Sequence, residues 1–228
     1  MPSTASHSGA RTSLTVWSVG QTRCELIEGT RFPWRFRPHM HAGDEVVHIL
    51  AGRARLRLPG HFQDVEAGEK ITVRSHTIHR FEPVDREGWA FASEFRNDCA
   101  AGAQPSAATV AGGRLSAQVR SLLASRASLH TDIAAMADAC GVSAGYLGRA
   151  FRREVGVSLH NYHVLVAVHE AKTQLKNGLS IVDAALGSGF YDQAHLTREF
   201  VKTFGMTPGT FRFAWMRTAP SAPRRTWN

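Results

Sequence analysis

Residues 131–212 read TDIAAMADACGVSAGYLGRAFRREVGVSLHNYHVLVAVHEAKTQLKNGLSIVDAALGSGFYDQAHLTREFVKTFGMTPGTFR, and this stretch decides the fold because one short pattern occurs in it twice. Ile133, Ala137 and Gly141 return 48 positions later as Ile181, Ala185 and Gly189. After a slip of one residue, Ser143, Leu147, Arg149, Phe151, Val155, Gly156 and Val157 are answered 49 positions on by Asp192, Leu196, Arg198, Phe200, Phe204, Gly205 and Met206. A repeat of this length points to two copies of one supersecondary unit. Each copy reads as a short helix with a small alanine, a glycine turn, and a second helix opened by Ser143 or Asp192, whose side-chain oxygen can accept from the first free backbone N–H groups. Ala137 and Ala185 suit a close crossing of the two helices, and Gly141 and Gly189 suit a turn at positive φ. Leu147 with Phe151, and Leu196 with Phe200, stand at i, i+4 and give each second helix one buried stripe. Two helix-turn-helix units in tandem are expected.

With these motifs in place, residues from about Arg114 to Ala214 resemble the AraC/XylS family of transcriptional regulators. The resemblance rests on IAAMADACGVSAGYLGRAFRREVGVS, on SIVDAALGSGFYDQAHLTREFVKTFGMTPGTFR, and on the ending Gly205, Pro208, Phe211 and Arg212. It implies that a long helix from about Leu159 to Lys176 joins the units and spaces them one turn of double-stranded promoter DNA apart. The family's Arg-Leu-x-x-Ala in that helix is represented by Ala167, Val168 and Ala171, so the contact of that arginine does not carry over. The family's base-reading positions fall on Gly145, Gly148 and Arg149 in the first unit and on Gln193, Ala194, His195 and Arg198 in the second. In the first, only Arg149 can make a bidentate pair with guanine; in the second, Gln193 suits adenine and Arg198 guanine. The second unit is expected to supply more of the specificity. Arg152, Arg153, Lys172, Lys202 and Arg212 are phosphate-contact candidates, with a structural role the alternative for Arg212. RNA polymerase is a further partner the resemblance brings in.

Charge supports the division. Residues 1–110 carry 13 Lys/Arg against 12 Asp/Glu, residues 111–228 carry 14 against 7, and the net charge is +8. The excess therefore sits on the half that carries the repeat, where it attracts phosphate without by itself identifying DNA. The chain of 228 residues is long enough for two cores. Cys24, Cys99 and Cys140 are an odd set without a CxxC spacing, which fits a reducing compartment. No apolar run reaches the length of a membrane span, and the opening MPSTASHSGARTS lacks a signal-peptide core, so a soluble cytoplasmic protein without a membrane partner is expected.

Between Leu14 and about Phe95, short alternating runs broken by glycine and proline (LTVWSV, EVVHIL, RARLRL, KITV, WAFASEF) read as all-β. Arg53, Arg55 and Arg57 alternate with apolar residues and read as a solvated strand face. His39 and His41 are two apart and share a strand face; Glu45 and Gly52 follow, and a second stretch runs from Gly68 to His79. These positions resemble the two cupin motifs, His-x-His-x3-Glu-x6-Gly and Gly-x5-Pro-x-Gly-x2-His, with Arg74 and His76 where that family has proline and its inner glycine. The resemblance implies a cupin-like barrel over residues 14–96 in which His39, His41, Glu45 and His79 converge on a divalent transition metal. Zn, Mn, Fe, Ni and Cu suit this ligand set comparably. A small organic effector in the same interior is the alternative. His48 and His76 have the wrong strand parity for the site. Trp34, Phe36, Trp89, Phe91 and Phe95 read as core, with pocket lining the alternative.

The fold class expected is thus two-domain: an N-terminal all-β cupin-like barrel (14–96), an Ala/Gly-rich linker (97–113), and a C-terminal all-α domain with two helix-turn-helix units (114–214). There is no room for a separate dimerisation hairpin, so a homodimer would form through the β domain. The leading function is a sequence-specific DNA-binding regulator, not an enzyme, whose cupin half takes a metal or small-molecule effector; activation and repression are both open. A metal-dependent cupin enzyme tethered to a DNA-binding module is the second reading, and a purely structural β domain the third.

Overall fold

The computed structural model describes residues 11–19, 22–30, 37–41, 43–96, 113–124, 129 and 132–217. Nearly all of the expected linker, together with Trp34, Phe36 and Cys99, lies outside the described residues. Seven strands come first: β1 (Arg11–Val19), β2 (Thr22–Thr30), β3 (Asp44–Leu58), β4 (His61–Glu66), β5 (Lys70–Val73), β6 (Arg80–Pro83) and β7 (Trp89–Arg96). All pair antiparallel, in the order β1-β2-β7-β3-β4, with β5 and β6 also on β3.

Two sequence expectations change here. EVVHIL and RARLRL are one strand of 15 residues, not two. Gly52 looked like a break but serves as a bend: the register to β7 shifts between Ile49 and Ala51, and Gly52 adopts φ +70° with its missing Cβ position only 2.5 Å from the Gly88 carbonyl oxygen. Only glycine fits such a bulge. The first half of β3 then pairs with β7 and β5, and the second half with β4 and β6. The cupin-like barrel is also not closed among the described residues. β5 and β6 are four residues each and both pair with β3, so neither carries the ladder round to β1.

Alternation along β3 aims Glu45, Val47 and Ile49 inward, opposite Phe95, Ser93 and Phe91 of β7. His48 lies on the other face, 3.7 Å from Glu94, as its parity requires. The expected charged face is an ion-pair ladder, Arg53 to Asp85, Arg55 to Asp64 and Arg57 to Glu82. His76 holds the family's inner-glycine position at φ +58°, the one positive-φ non-glycine among the described residues, so the tight turn survives at a cost of roughly 1–2 kcal/mol.

Seven helices follow: α1 (Arg114–Ala124), α2 (Ile133–Ala139), α3 (Ala144–Val155), α4 (Leu159–Lys176), α5 (Ile181–Gly187), α6 (Gln193–Phe204) and α7 (Pro208–Met216). Helices α2/α3 and α5/α6 are the two helix-turn-helix units. Ser143 accepts from the Tyr146 N–H at 3.3 Å and Asp192 from the His195 N–H at 2.6 Å, capping α3 and α6 as the sequence indicated. Gly141 and Gly189 turn at φ +66° and +83°. Leu147, Phe151, Leu196 and Phe200 are fully buried.

Helix α4 is buried nearly all round, since Tyr162, His163, Val164, Leu165, Val168, Ala171 and Lys172 point in different directions and all are covered. One core runs from the sheet into the helices: Val47, Ile49, Phe91 and Phe95 share a cluster with Val168, Ala171, Phe200 and Phe204. Lys172 Nζ donates to Glu25 Oε2 of β2 at 2.9 Å, Lys176 reaches the other carboxylate oxygen at 2.5 Å, and the Thr12 hydroxyl of β1 donates to the Gly205 carbonyl at 2.5 Å. These findings remove two phosphate-contact candidates. Lys172 is buried against Glu25 and lies 5.2–5.4 Å from the ring centres of Phe95, Phe204 and Phe211. Arg212 donates to the carbonyls of Leu179 (2.8 Å) and Gly178 (3.1 Å), fastening α7 to the loop after α4.

Candidate metal centre and DNA-reading faces

The segment 39–41 and the segment 77–79 lie antiparallel outside the named strands, joined at one bridge where His39 N–H donates to His79 O and His79 N–H to His39 O, both at 2.8 Å. Residues directly opposed in this way project to the same side. His39 and His79 therefore face one another with ring centres 4.4 Å apart; His41, two positions on, joins them, and Glu45 enters from β3. One ligand atom from each of His39, His41, Glu45 and His79 lies within 4.8 Å of the others, and all four residues are buried.

The surroundings orient these atoms. Nδ1 of His39 lies 2.7 Å from the Arg37 carbonyl and Nδ1 of His79 lies 2.9 Å from the Thr77 carbonyl. Carbonyls only accept, so both Nδ1 atoms carry the proton, the arrangement that turns Nε2 into a metal ligand. His79 Nε2 is also 3.0 Å from Glu45 Oε2, and His41 Nε2 is 3.4 Å from the same oxygen. A neutral His79 ring has one N–H for two acceptors. Both ring nitrogens of His41 are buried without a hydrogen-bond partner, which is costly in an apolar site. A cation between the Nε2 atoms and the carboxylate resolves the His79 conflict and gives His41 Nε2 a partner, leaving only His41 Nδ1 without one, so the residues fit a bound metal.

Electrostatics agree with that fit. Burial holds the His39 imidazole well below its usual 6.5, and repulsion from His79 and His41 adds to it. Burial likewise lowers His41, against the attraction of Glu45. Burial acts to raise Glu45, but the neighbouring imidazoles, His41 first and then His79, outweigh it and keep the carboxyl well below 4.5. Neutral imidazoles and an ionised carboxylate are the protonation states that bind metal.

Beside the ligands is a cavity of about 30 Å³, lined by Ile27, Ser93, Phe81, Trp89, Phe91 and Phe95 of the sheet and by Thr203 and Phe204 of α6. Trp89, Phe91 and Phe95 are thus both core and pocket lining. At roughly 10–15 Å³ per water the cavity takes about two solvent-sized ligands. Organic ligands occupy pockets of roughly 300–1,000 Å³. Thr203 and Phe204 were not singled out from the sequence. The available signal was the repeat itself, which pairs Phe204 with the smaller Val155.

On the reading helices, Gly145 and Arg149 are exposed and Gly148 half-buried on α3; Gln193, Ala194 and Arg198 are exposed on α6. His195 is half-buried, with its ring 5.1 Å from Phe190, so it is partly committed to packing. Arg152 and Arg153 are exposed in the last turn of α3, and Lys202 is paired with Glu199 at 3.0 Å. Among the described residues no helix is long and apolar enough to cross a membrane.

Comparison with known proteins adds the following. The family described as "AraC-like ligand binding domain" matches residues 25–139, and "Helix-turn-helix domain" matches residues 136–214. Over 82 residues the chain is 35% identical to the HTH-type transcriptional regulator GlxA of Rhizobium meliloti (strain 1021). That stretch is 36% of this chain and 25% of GlxA, so the chain spans about a quarter of the length of this curated relative. Similar solved structures include an AraC-type DNA-binding transcriptional regulator from Chromobacterium violaceum (22% identity, TM-score 0.42, 46% of this chain and 95% of that one). A cupin-2 domain protein from Shewanella frigidimarina is another (21% identity, TM-score 0.30, 37% of this chain and 80% of that one).

Proposed function

The chain belongs to the AraC-type DNA-binding transcription regulators with an AraC-like ligand-binding domain, and on that premise we propose that its effector is a divalent metal ion held by His39, His41, Glu45 and His79. The observation that carries this reading is the convergence of four buried ligand atoms within 4.8 Å, beside a cavity with room for about two solvent-sized ligands. A cavity that small disfavours an organic effector. The bound ion would supply fixed positive charge in a site that now joins an ionised carboxylate to three imidazoles. The sensor spans about residues 14–96, the linker 97–113 and the DNA-reading domain 114–214.

Recognition of double-stranded promoter DNA then falls to Gly145, Gly148 and Arg149 on α3 and to Gln193, Ala194, His195 and Arg198 on α6. Arg149 and Arg198 are the guanine readers and Gln193 an adenine reader. His195 contributes less than its position suggests, because its ring packs on Phe190. Neither glycine carries a base code; Gly148 leaves the surface of α3 open to close backbone approach, whereas the Arg149 guanidinium lies over Gly145.

The experiment is elemental analysis of the tag-free full chain, as purified and after reloading with Zn, Mn, Fe, Ni or Cu, beside His79→Ala. Near one metal ion per chain, lost in His79→Ala, is expected. No metal in the native chain even after reloading contradicts the assignment and returns the cavity to a non-metal effector.

A further inference from the structure

We propose that the metal centre is a joint between the two DNA-reading units, so that loading it fixes both units against the same pair of short segments, 37–41 and 77–79. The inference rests on the metal reading above and deepens it by naming how occupancy reaches DNA.

The argument begins with alternation. In extended backbone, neighbours project to opposite sides. His39 and His41 face the cavity, so Met40 between them faces away; His79 faces the cavity, so Ile78 faces away. Met40 and Ile78 are buried, and the cluster they enter is the core of the first unit, with Val119, Leu123, Met136 and Leu147. One side of the His39/His79 bridge therefore carries metal ligands and the other side is seated in the first helix-turn-helix unit.

The second unit meets the same segment by polar contacts. The Arg37 guanidinium pairs with Glu199 of α6, and the Arg37 N–H donates to the Lys202 carbonyl at 3.3 Å. The Arg37 carbonyl accepts from Nδ1 of His39 at 2.7 Å, so the residue that orients a metal ligand is itself fastened to α6. Thr203 and Phe204, one turn further along the helix, form part of the cavity wall. His169 of α4 stands between, its ring 6.1 Å from His41 and 5.5 Å from Phe204. Helix α6 carries the proposed base readers from Gln193 to Arg198 and the cavity wall at Thr203 and Phe204, about 8 to 16 Å further along the helix at 1.5 Å per residue. A helix of three turns moves as one body, so a shift at the wall is a shift at the reading face.

Ligation draws four groups toward one ion, which couples the bridge, Arg37 and the wall. Any local opening that parts them must release the metal. A ligand held only by the closed form at a hundred times its dissociation constant lowers the opening population by roughly 100-fold.

Hydrogen exchange of the full chain with Zn2+ at that excess tests the joint. Backbone amides of residues 199–204 in α6 and of residues 147–155 in α3 are expected to exchange up to about 100-fold more slowly with zinc, whereas the exposed edge strand β4 keeps its rate. In Thr203→Ala and Phe204→Leu, which keep all four ligands, zinc remains bound, the slowing in α3 persists and the slowing in α6 diminishes. Zinc bound near one per chain with slowing confined to residues 37–96 overturns the joint and leaves the metal reading standing. So does an α6 response unchanged in both wall variants. Failure of the native chain to take up zinc or any of the other four metals overturns both.

Discussion

The two helix-turn-helix units are alike in geometry and unlike in attachment. Both have oxygen-capped reading helices, glycine turns at positive φ and left-handed Gly156 or Gly205 at the end of the second helix. The first unit is held to the β domain by apolar seats: Met40 and Ile78 in its core, and Pro59 of the β3–β4 turn against Gly156. The second shares the sheet's own apolar core through Phe200 and Phe204 and is tied by charge as well, through Arg37 on Glu199 and, from the joining helix α4, Lys172 and Lys176 on Glu25; it also walls the cavity. The reading face proposed to carry more base contacts is on the same unit. The repeat copied the geometry of each unit; the residues it did not copy set how each unit is attached to the β domain.

The strongest way to break that contrast is Lys172→Ala. It leaves Glu25, 1% exposed, with Lys176 still paired to it, so the cost should stay below the roughly 3–5 kcal/mol of stranding a buried charge. Urea unfolding should show a loss approaching about 3 kcal/mol; a loss under about 1 kcal/mol would remove the charged clamp from the account. Next in size is a comparison of Arg198→Ala with Arg149→Ala in selection from random duplexes. Each should lose about 1–3 kcal/mol of discrimination at one base pair, with more base pairs still specified in the Arg149 variant than in the Arg198 variant. Equal weakening on every sequence would make either arginine a phosphate contact.

A smaller effect is expected from Gly148→Ala. An added Cβ there meets nothing within 4 Å, so the helix should gain about 1 kcal/mol. Unchanged DNA affinity would show that backbone approach at this position is not used; weakened affinity in the more stable variant would show that it is.

Titration should distinguish the units least, because the centre touches both. His39 and His41 are lowered by burial in the folded chain, so as pH falls through about 6.5 the unfolded chain takes up protons first and stability declines. Glu45, also lowered, adds a further loss below about 4.5. Melting of EDTA-treated protein should be insensitive to these groups above pH 7 and fall in acid as one transition. A melting temperature that rises between pH 7 and 5 contradicts the sign.

Much of this was legible in the sequence because the signals were local. Cap residues, turn glycines and the i, i+4 stripe located both units; strand parity put His39 and His41 on one face and sent His48 outward, and the resemblance to the cupin motifs added Glu45 and His79. What was not legible depended on contacts far apart in the chain. Gly52 punctuates the sequence like a turn but bends a continuous strand, since only the approach of Gly88 distinguishes the two. Lys172 looks like any surface lysine on a helix, and its burial depends on Glu25, 147 residues away. Barrel closure was implied by the cupin resemblance, yet among the described residues β5 and β6 are too short to complete it.

The central claim is that metal occupancy and DNA affinity are linked, and one measurement addresses it most directly: the dissociation constant for a duplex selected by the zinc-loaded chain, determined with and without Zn2+. The account predicts a difference on the order of 5- to 150-fold, matched by an equal change in zinc affinity when the duplex is present. Identical DNA affinity in both states, with zinc bound at one per chain, would contradict it.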